Sequence, residues 1–205
     1  MVNKPDHSEH TKSGGEYIQF TDMESYLFKT VHRRFTEQGY VGAFDFFCIV
    51  IWKANRAKTK VAKRLLGTTE KTLDEVVIDL TKKIAAQETP KDRMRILMFG
   101  DIRFRLPMAS AILTVLYPDE FTIYDYRVCE ALGGFGNLTN ITNIDKLWVG
   151  YSAFKSAVIS NSPQGLSLRD MDHYLWGKSF CDQLTNDIRN NFTSEVAEDE
   201  AGLEE

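Results

Sequence analysis

The chain has 205 residues, 43% of them hydrophobic and 26% charged, and a formal net charge of −4. That apolar content suffices for the core of one domain, while three scattered cysteines (Cys48, Cys129 and Cys181) form neither a complete disulfide framework nor a metal motif and are expected as buried thiols in a reducing compartment. No apolar run approaches the length that spans a bilayer and the polar N-terminus has no signal-peptide core, so the expected location is the cytosol.

Residues 1–15 are polar, end in Gly-Gly and read as a flexible tail, in which His7 and His10 lack the Cys/His framework of a metal site. Residues 16–192 read as one helical domain. Thr21 and Glu24 fit a capping box, and Met23, Tyr26, Leu27, Val31 and Phe35 follow helical spacing to Gly39. His32 falls inside that helix as a structural histidine. From about Ala43 to Trp52 the run FDFFCIVIW is apolar on nearly every side, which marks a helix of the core. It gives way abruptly to polar and basic residues and so delivers Trp52, Lys53, Asn55 and Arg56 to a surface rim. Cations there either balance the carbonyls of a helix end or face a phosphate backbone.

Between Trp52 and Arg105 there are 14 Lys and Arg against 7 Asp and Glu. A short basic helix spans Thr59 to Leu66. A second, beginning between Thr68 and Thr72, carries an apolar face through Leu73, Val76, Val77, Leu80 and Ile84. Pro90 suits the first turn of the next helix and Gly100 its C-cap. A central apolar helix follows from Leu106 or Pro107 to Tyr117. Its small residues Ala109, Ser110 and Ala111 would admit a neighbouring helix or a DNA backbone. Pro118 ends it, and Asp125 opens the short helix that closes at Gly133-Gly134. The GGFG that follows has no preceding strand and is no nucleotide fingerprint.

Amphipathic helices are then expected from Ile141 to about Ser160 and after Ser167, with Tyr174 and Trp176 as core anchors and Phe180 and Leu184 along the same face. No stretch shows strand alternation, and no repeat or second domain emerges. Residues 193–205 form an acidic tail of six acids and no base; without them the net charge of −4 becomes +2. A basic middle with an acidic end is compatible with phosphate binding, and equally with ordinary surface helices.

The stretch LPMASAILTVLYPDEFTIYDYRV resembles the core of the helix-hairpin-helix DNA glycosylase superfamily. There a hairpin of the form LPGVG precedes a Lys-Thr-Ala segment, an apolar helix and a segment holding a catalytic aspartate. With Ala109 on the alanine of that pattern, Asp125, 16 residues on, falls on the aspartate without a gap. FDFFCIVIWKANRAK sits where relatives place the loop that penetrates the duplex, and LRDMDHYLW also looks like small bacterial members. The resemblance covers roughly Phe44 to Trp176. It implies an all-α glycosylase fold, DNA as partner, a monomer without cofactor or metal, and Asp125 as the catalytic carboxylate. Trp52, Lys53, Asn55, Arg56, Arg103, Arg105 and Arg127 would contact DNA, and Tyr124 and Tyr126 would stack on a flipped base or pack in the core.

Three departures refine this. Arg103 and Arg105 stand where the hairpin glycines would be, so phosphate contact would pass from backbone N–H groups to guanidinium forks. Pro107 stands where lyases carry a Schiff-base lysine, which implies base release without strand cleavage unless Lys53 substitutes as the amine. The four-cysteine iron–sulfur segment of some relatives is missing. The chemistry implied is hydrolysis of an N-glycosidic bond, with a carboxylate stabilising the oxocarbenium-like sugar. The target would be a damaged base, or a modified base in phage DNA. A DNA-binding protein that keeps the scaffold without catalysis, or a glycosyl-transfer enzyme acting on a modified nucleotide, would share these features.

Overall fold

In the computed structural model, residues 17–193 are described, and they contain helices and turns but no strand. The tail histidines, His7 and His10, and the acidic residues from Glu195 onward lie outside the described residues. Helix α1 starts at Met23–Tyr26, passes through a π-helical stretch, Leu27–Val31, and continues as His32–Gln38 to a left-handed Gly39. Its cap is one residue later than expected: Asp22 accepts the Ser25 N–H, while Thr21 donates its hydroxyl to the Ile18 carbonyl. Asp is the stronger acceptor at this position, and the capping box on Thr21 does not form.

Helix α2 (Ala43–Ala54) takes the centre because it is apolar almost all round; Phe46, Ile49 and Val50 are fully buried. Phe44 is the exception and faces outward. The one buried acid of α2, Asp45, accepts hydrogen bonds from Tyr26 Oη at 2.6 Å and from Arg34, which ties α1 to α2. Burial, followed by the hydrogen bond to Asp45, raises the Tyr26 phenol far above its ordinary value. A 3-10 turn, Asn55–Ala57, leads into α3 (Lys58–Leu66), which stops at Gly67 with positive φ. Helix α4 (Leu73–Ala85) begins with a full capping box of Thr72 and Glu75.

Helix α5 (Pro90–Phe99) has Pro90 in its first turn and Thr89 as its cap. Gly100 follows it in an extended conformation, not the left-handed cap the sequence suggests. It is required for space: a Cβ there would lie 2.5 Å from the Ile96 carbonyl oxygen. Residues 101–105 then lead into the next helix without regular structure, with Ile102 and Phe104 buried and Arg103 and Arg105 exposed.

Helix α6 (Leu106–Leu116) is buried along its length apart from Pro107. Ala109, Ser110 and Ala111 have no exposed surface, so their small size admits protein neighbours and leaves no approach for DNA. Helices α7 (Tyr126–Leu132), α8 (Ile144–Ser160) and α9 (Leu168–Arg189) complete the domain. Helix α9 lies along α7 and α8. Only its first half is anchored in the core, where Asp172, Leu175 and Ser179 are buried at helical spacing. Tyr174, Trp176, Phe180 and Leu184, expected inside, are about two-fifths exposed. Trp176 and Phe180 stack on each other at the surface instead. Cys48 and Cys129 are buried as expected, and Cys181 is exposed. No described helix is long and apolar enough to cross a membrane.

Candidate functional site

Asp125 reaches its place through main-chain geometry. The Ser110 hydroxyl accepts the Tyr124 N–H at 2.9 Å, and the Tyr151 hydroxyl holds Thr122 by accepting its N–H and donating to its carbonyl. The connector is therefore pinned at two points before it delivers Asp125 as the N-cap of α7. Asp125 Oδ1 accepts the Arg127 N–H at 3.0 Å.

Its other oxygen, Oδ2, is 2.6 Å from Lys53 Nζ. Lys53 lies in the last turn of α2. The buried helix thus presents an ammonium directly to the carboxylate that caps α7, and both side chains keep a minor exposed fraction, 17% for Lys53 and 24% for Asp125. Asp125 serves at once as a helix cap and as a partner of Lys53, two roles that one carboxylate's two oxygens allow.

A second polar cluster sits on Trp52, the residue before Lys53. Arg169 sits 5.2 Å from the ring centres of both Phe28 and Trp52, and those two rings meet edge-on. Arg169 donates through Nε and Nη2 to Glu24 Oε1 and through Nη1 to Asp172. His173 Nε2 also meets Glu24, at 2.6 Å. Burial alone would raise the Glu24 carboxyl, but hydrogen bonds from His173 and Arg169 outweigh it and hold it below its ordinary value. Asp172 is 3% exposed, and burial pushes it up to about 6 against the pull of Arg169. Arg169, Asp172 and His173 lie in the LRDMDHYLW segment that carries part of the resemblance, and Glu24 in the expected capping box, but the sequence assigns none of the four to the site. Asp172 did carry a signal, as an acid in register with Leu175 and Ser179 on the buried stripe of α9.

The remaining predicted residues separate by place. Trp52 is half-buried under Arg169. Asn55 and Arg56 are exposed on the 3-10 turn, where Asn55 accepts from Lys58 Nζ at 2.8 Å. Arg103 has φ +52°, the left-handed backbone a glycine would favour at that position, and its carbonyl accepts from Arg64 on α3. Arg105 is the exposed N-cap of α6.

Arg127 is engaged with α9: Nη1 donates to Gln183, and its guanidinium packs on Trp176 and Phe180. Tyr124 is 3% exposed and donates its hydroxyl to the Phe135 carbonyl, so it packs in the core and cannot stack on a base. Tyr126 is 48% exposed. Burial pushes the Cys129 thiol up to about 11, which makes it a packing group and not a nucleophile. His32 lines a cavity of about 360 Å³ with Phe35, Tyr117 and Glu120, and none of the predicted site residues borders it.

Among the described residues no cluster of three or more His, Cys, Asp or Glu could hold a metal ion. The pair and its surroundings offer an oriented carboxylate, an amine and a nearby cationic surface. Comparison of the chain with protein-family models, with curated proteins and with solved structures returned no match.

Proposed function

We propose that the protein is a DNA N-glycosylase of helix-hairpin-helix type that hydrolyses the bond between deoxyribose and a damaged or modified base, leaving an abasic site. The observation that carries this reading is the meeting of Lys53 and Asp125 where the basic segment begins. From Lys53 to Thr69 the chain has Arg56, Lys58, Lys60, Lys63 and Arg64 and no acid, and Arg64 links this run to Arg103. Such a surface suits a phosphate backbone, with Arg103 and Arg105 as forks beside it. Arg103, at a position where the resemblance expects a hairpin glycine, has the positive φ that glycine favours.

In the proposed chemistry, the C1′–N bond breaks with its electron pair leaving on the base. Asp125 faces the cationic sugar and orients the water that adds to C1′. A base inside the duplex must first be turned out. With Trp52 held beneath Arg169, the roles proposed for the exposed Asn55 and Arg56 are to fill the gap, and for the exposed Tyr126 to meet the extruded base.

The test is incubation with duplexes carrying different damaged or modified bases, scored by alkali-labile sites. Asp125→Asn is expected to slow release by about 10²–10³-fold. Release that survives Asp125→Asn unchanged removes this mechanism. Salt-sensitive binding without release on any substrate identifies a non-catalytic DNA-binding protein, and free base without an abasic site identifies a glycosyl-transfer enzyme. Whether damaged bases or phage-type modified bases are released separates repair from defence.

The Lys53 contact favours a second reading. Pro107 removes the hairpin amine, but Lys53 supplies one from α2 at the same carboxylate. With the Lys53 proton passed to Asp125, attack of Nζ on C1′ would expel the base with the C1′–N electron pair; cleavage of the C1′–O4′ bond, with O4′ taking a proton, would then give the iminium, from which loss of the C2′ proton and the 3′ phosphate would cut the strand. Borohydride trapping of a protein–DNA adduct that disappears in Lys53→Met distinguishes this from hydrolysis.

A further inference from the structure

Trp176 and Phe180, one turn apart on α9, have ring centres 5.7 Å apart and planes within 7° of parallel. They keep 43% and 41% of their surface exposed, although aromatic rings of this size usually fill cores and interfaces. Arg127 reaches both from α7, with its guanidinium carbon 5.5 Å from the Trp176 ring centre and 5.6 Å from that of Phe180. Its hydrogen-bond partner, Gln183 at 2.7 Å, is a neutral amide, so the bond orients the guanidinium without neutralising it. Asp182, beside Gln183, is paired with Lys178. Direct contacts join this patch to the candidate site. The Arg127 N–H donates to Asp125 Oδ1 at 3.0 Å, and Asp125 Oδ2 lies 2.6 Å from Lys53. Two exposed parallel rings and a guanidinium thus adjoin the helix end that Asp125 caps.

We propose that Trp176, Phe180 and Arg127 form a binding platform for an unpaired nucleotide of a DNA strand, with the rings stacking on its base and the guanidinium meeting a phosphate. Every base has a π-face, so such a platform holds unpaired DNA with little regard to sequence. A paired base keeps its faces inside the helical stack and offers none to the rings. The guanidinium also decides between occupants. An apolar helix of another protein would bury that cation against no anion, whereas a nucleotide brings one together with its ring. The choice of a nucleotide rests on the glycosylase reading of Asp125. It adds to that reading a preference for DNA already unpaired beside the target base.

The experiment is binding of a short fluorescein-labelled oligothymidylate to the full chain, followed by anisotropy and by tryptophan emission. Trp176→Leu and Phe180→Leu keep apolar bulk but remove a ring, and each is expected to weaken binding by about 10–100-fold. Trp176→Phe keeps a ring and is expected to bind within about threefold of the unmodified protein, while losing the emission quench of a stacked indole. Arg127→Met keeps the packing on the rings and is expected to lower the slope of log affinity against log salt by about 0.7. The rings lie at the surface, so urea unfolding of these variants should change little. Oligothymidylate that does not bind the unmodified protein, or that binds both leucine variants equally well, overturns the proposal. So does a concentration-dependent dimer in sedimentation that Trp176→Leu dissociates, which assigns the rings to a second copy of the chain. Oligothymidylate carries no damaged base and no release is scored, so a failure here and a failure of base release are told apart.

Discussion

Ser110 accepts the main-chain N–H of Tyr124 at 2.9 Å, which fastens the residue before Asp125 to the middle of α6. Ser110 has no exposed surface and also donates to the Pro107 carbonyl. Ser110→Ala leaves a buried N–H without an acceptor and is expected to cost about 1–3 kcal/mol, measurable by urea denaturation. Because the lost bond positions Asp125, the base release proposed for this protein should fall by more than the population of folded protein does.

Lys53 and Asp125 should be energetically coupled. In a double-mutant cycle of Lys53→Met and Asp125→Asn, a coupling of about 0.5–3 kcal/mol is expected in thermal or denaturant unfolding. The pair is mostly buried, so solvent screens it less than a surface ion pair. A coupling near zero would show that the contact contributes nothing to the fold.

Asp172 makes stability depend on pH in a definite direction. Its folded value, about 6, lies above the ordinary 3.8, so the folded state holds the proton more tightly between those values. Its contribution is present at pH 4 and is lost as pH rises through 6. Asp172→Asn cannot lose that proton. Its stability relative to the unmodified protein should improve by about 2 kcal/mol between pH 4 and pH 7, read from unfolding curves at each pH.

Gly100 has an ordinary negative φ, so Gly100→Ala tests space alone. The added methyl would press on the Ile96 carbonyl, part of the α5 backbone. A loss of about 1–3 kcal/mol is expected in denaturant unfolding, with disturbance of the connecting segment that carries Arg103 and Arg105.

The basic run can be tested without knowing the target base. If Lys60, Lys63 and Arg103 meet phosphates, each alanine variant should weaken duplex binding for every sequence. Each should also lower the slope of log affinity against log salt by about one. An unchanged slope in all three would remove this run as a phosphate contact.

The helical scaffold was legible because its signals are local. Thr72 and Ser167 precede their helices as expected, Pro90 opens one, and the left-handed Gly39 and Gly133 close two, whereas the helix expected from Ile141 begins at Ile144 after an Asn143 cap. Apolar periodicity identified α2 and α6 as core helices, since a helix apolar on most sides has nowhere else to go. The same periodicity misplaced Trp176 and Phe180. It shows that a stripe exists along α9, but not that the domain ends before the stripe is covered.

The spacing from Ala109 to Asp125 is likewise a property of the sequence, and it singled out the carboxylate. What lies against that carboxylate was not readable, because Lys53 is 72 positions away and meets it only when α2 and α7 share a core. The small residues of α6 looked open to DNA or protein alike, and packing decided for protein. Tyr124 and Arg127, both beside Asp125 in sequence, turn one into the core and the other onto α9. Sequence alone therefore determined the helices, though not the caps at Thr21 and Gly100, and the acid at the mouth of α7. The tertiary structure decided the partners of that acid, because charge and burial depend on neighbours in space and not along the chain.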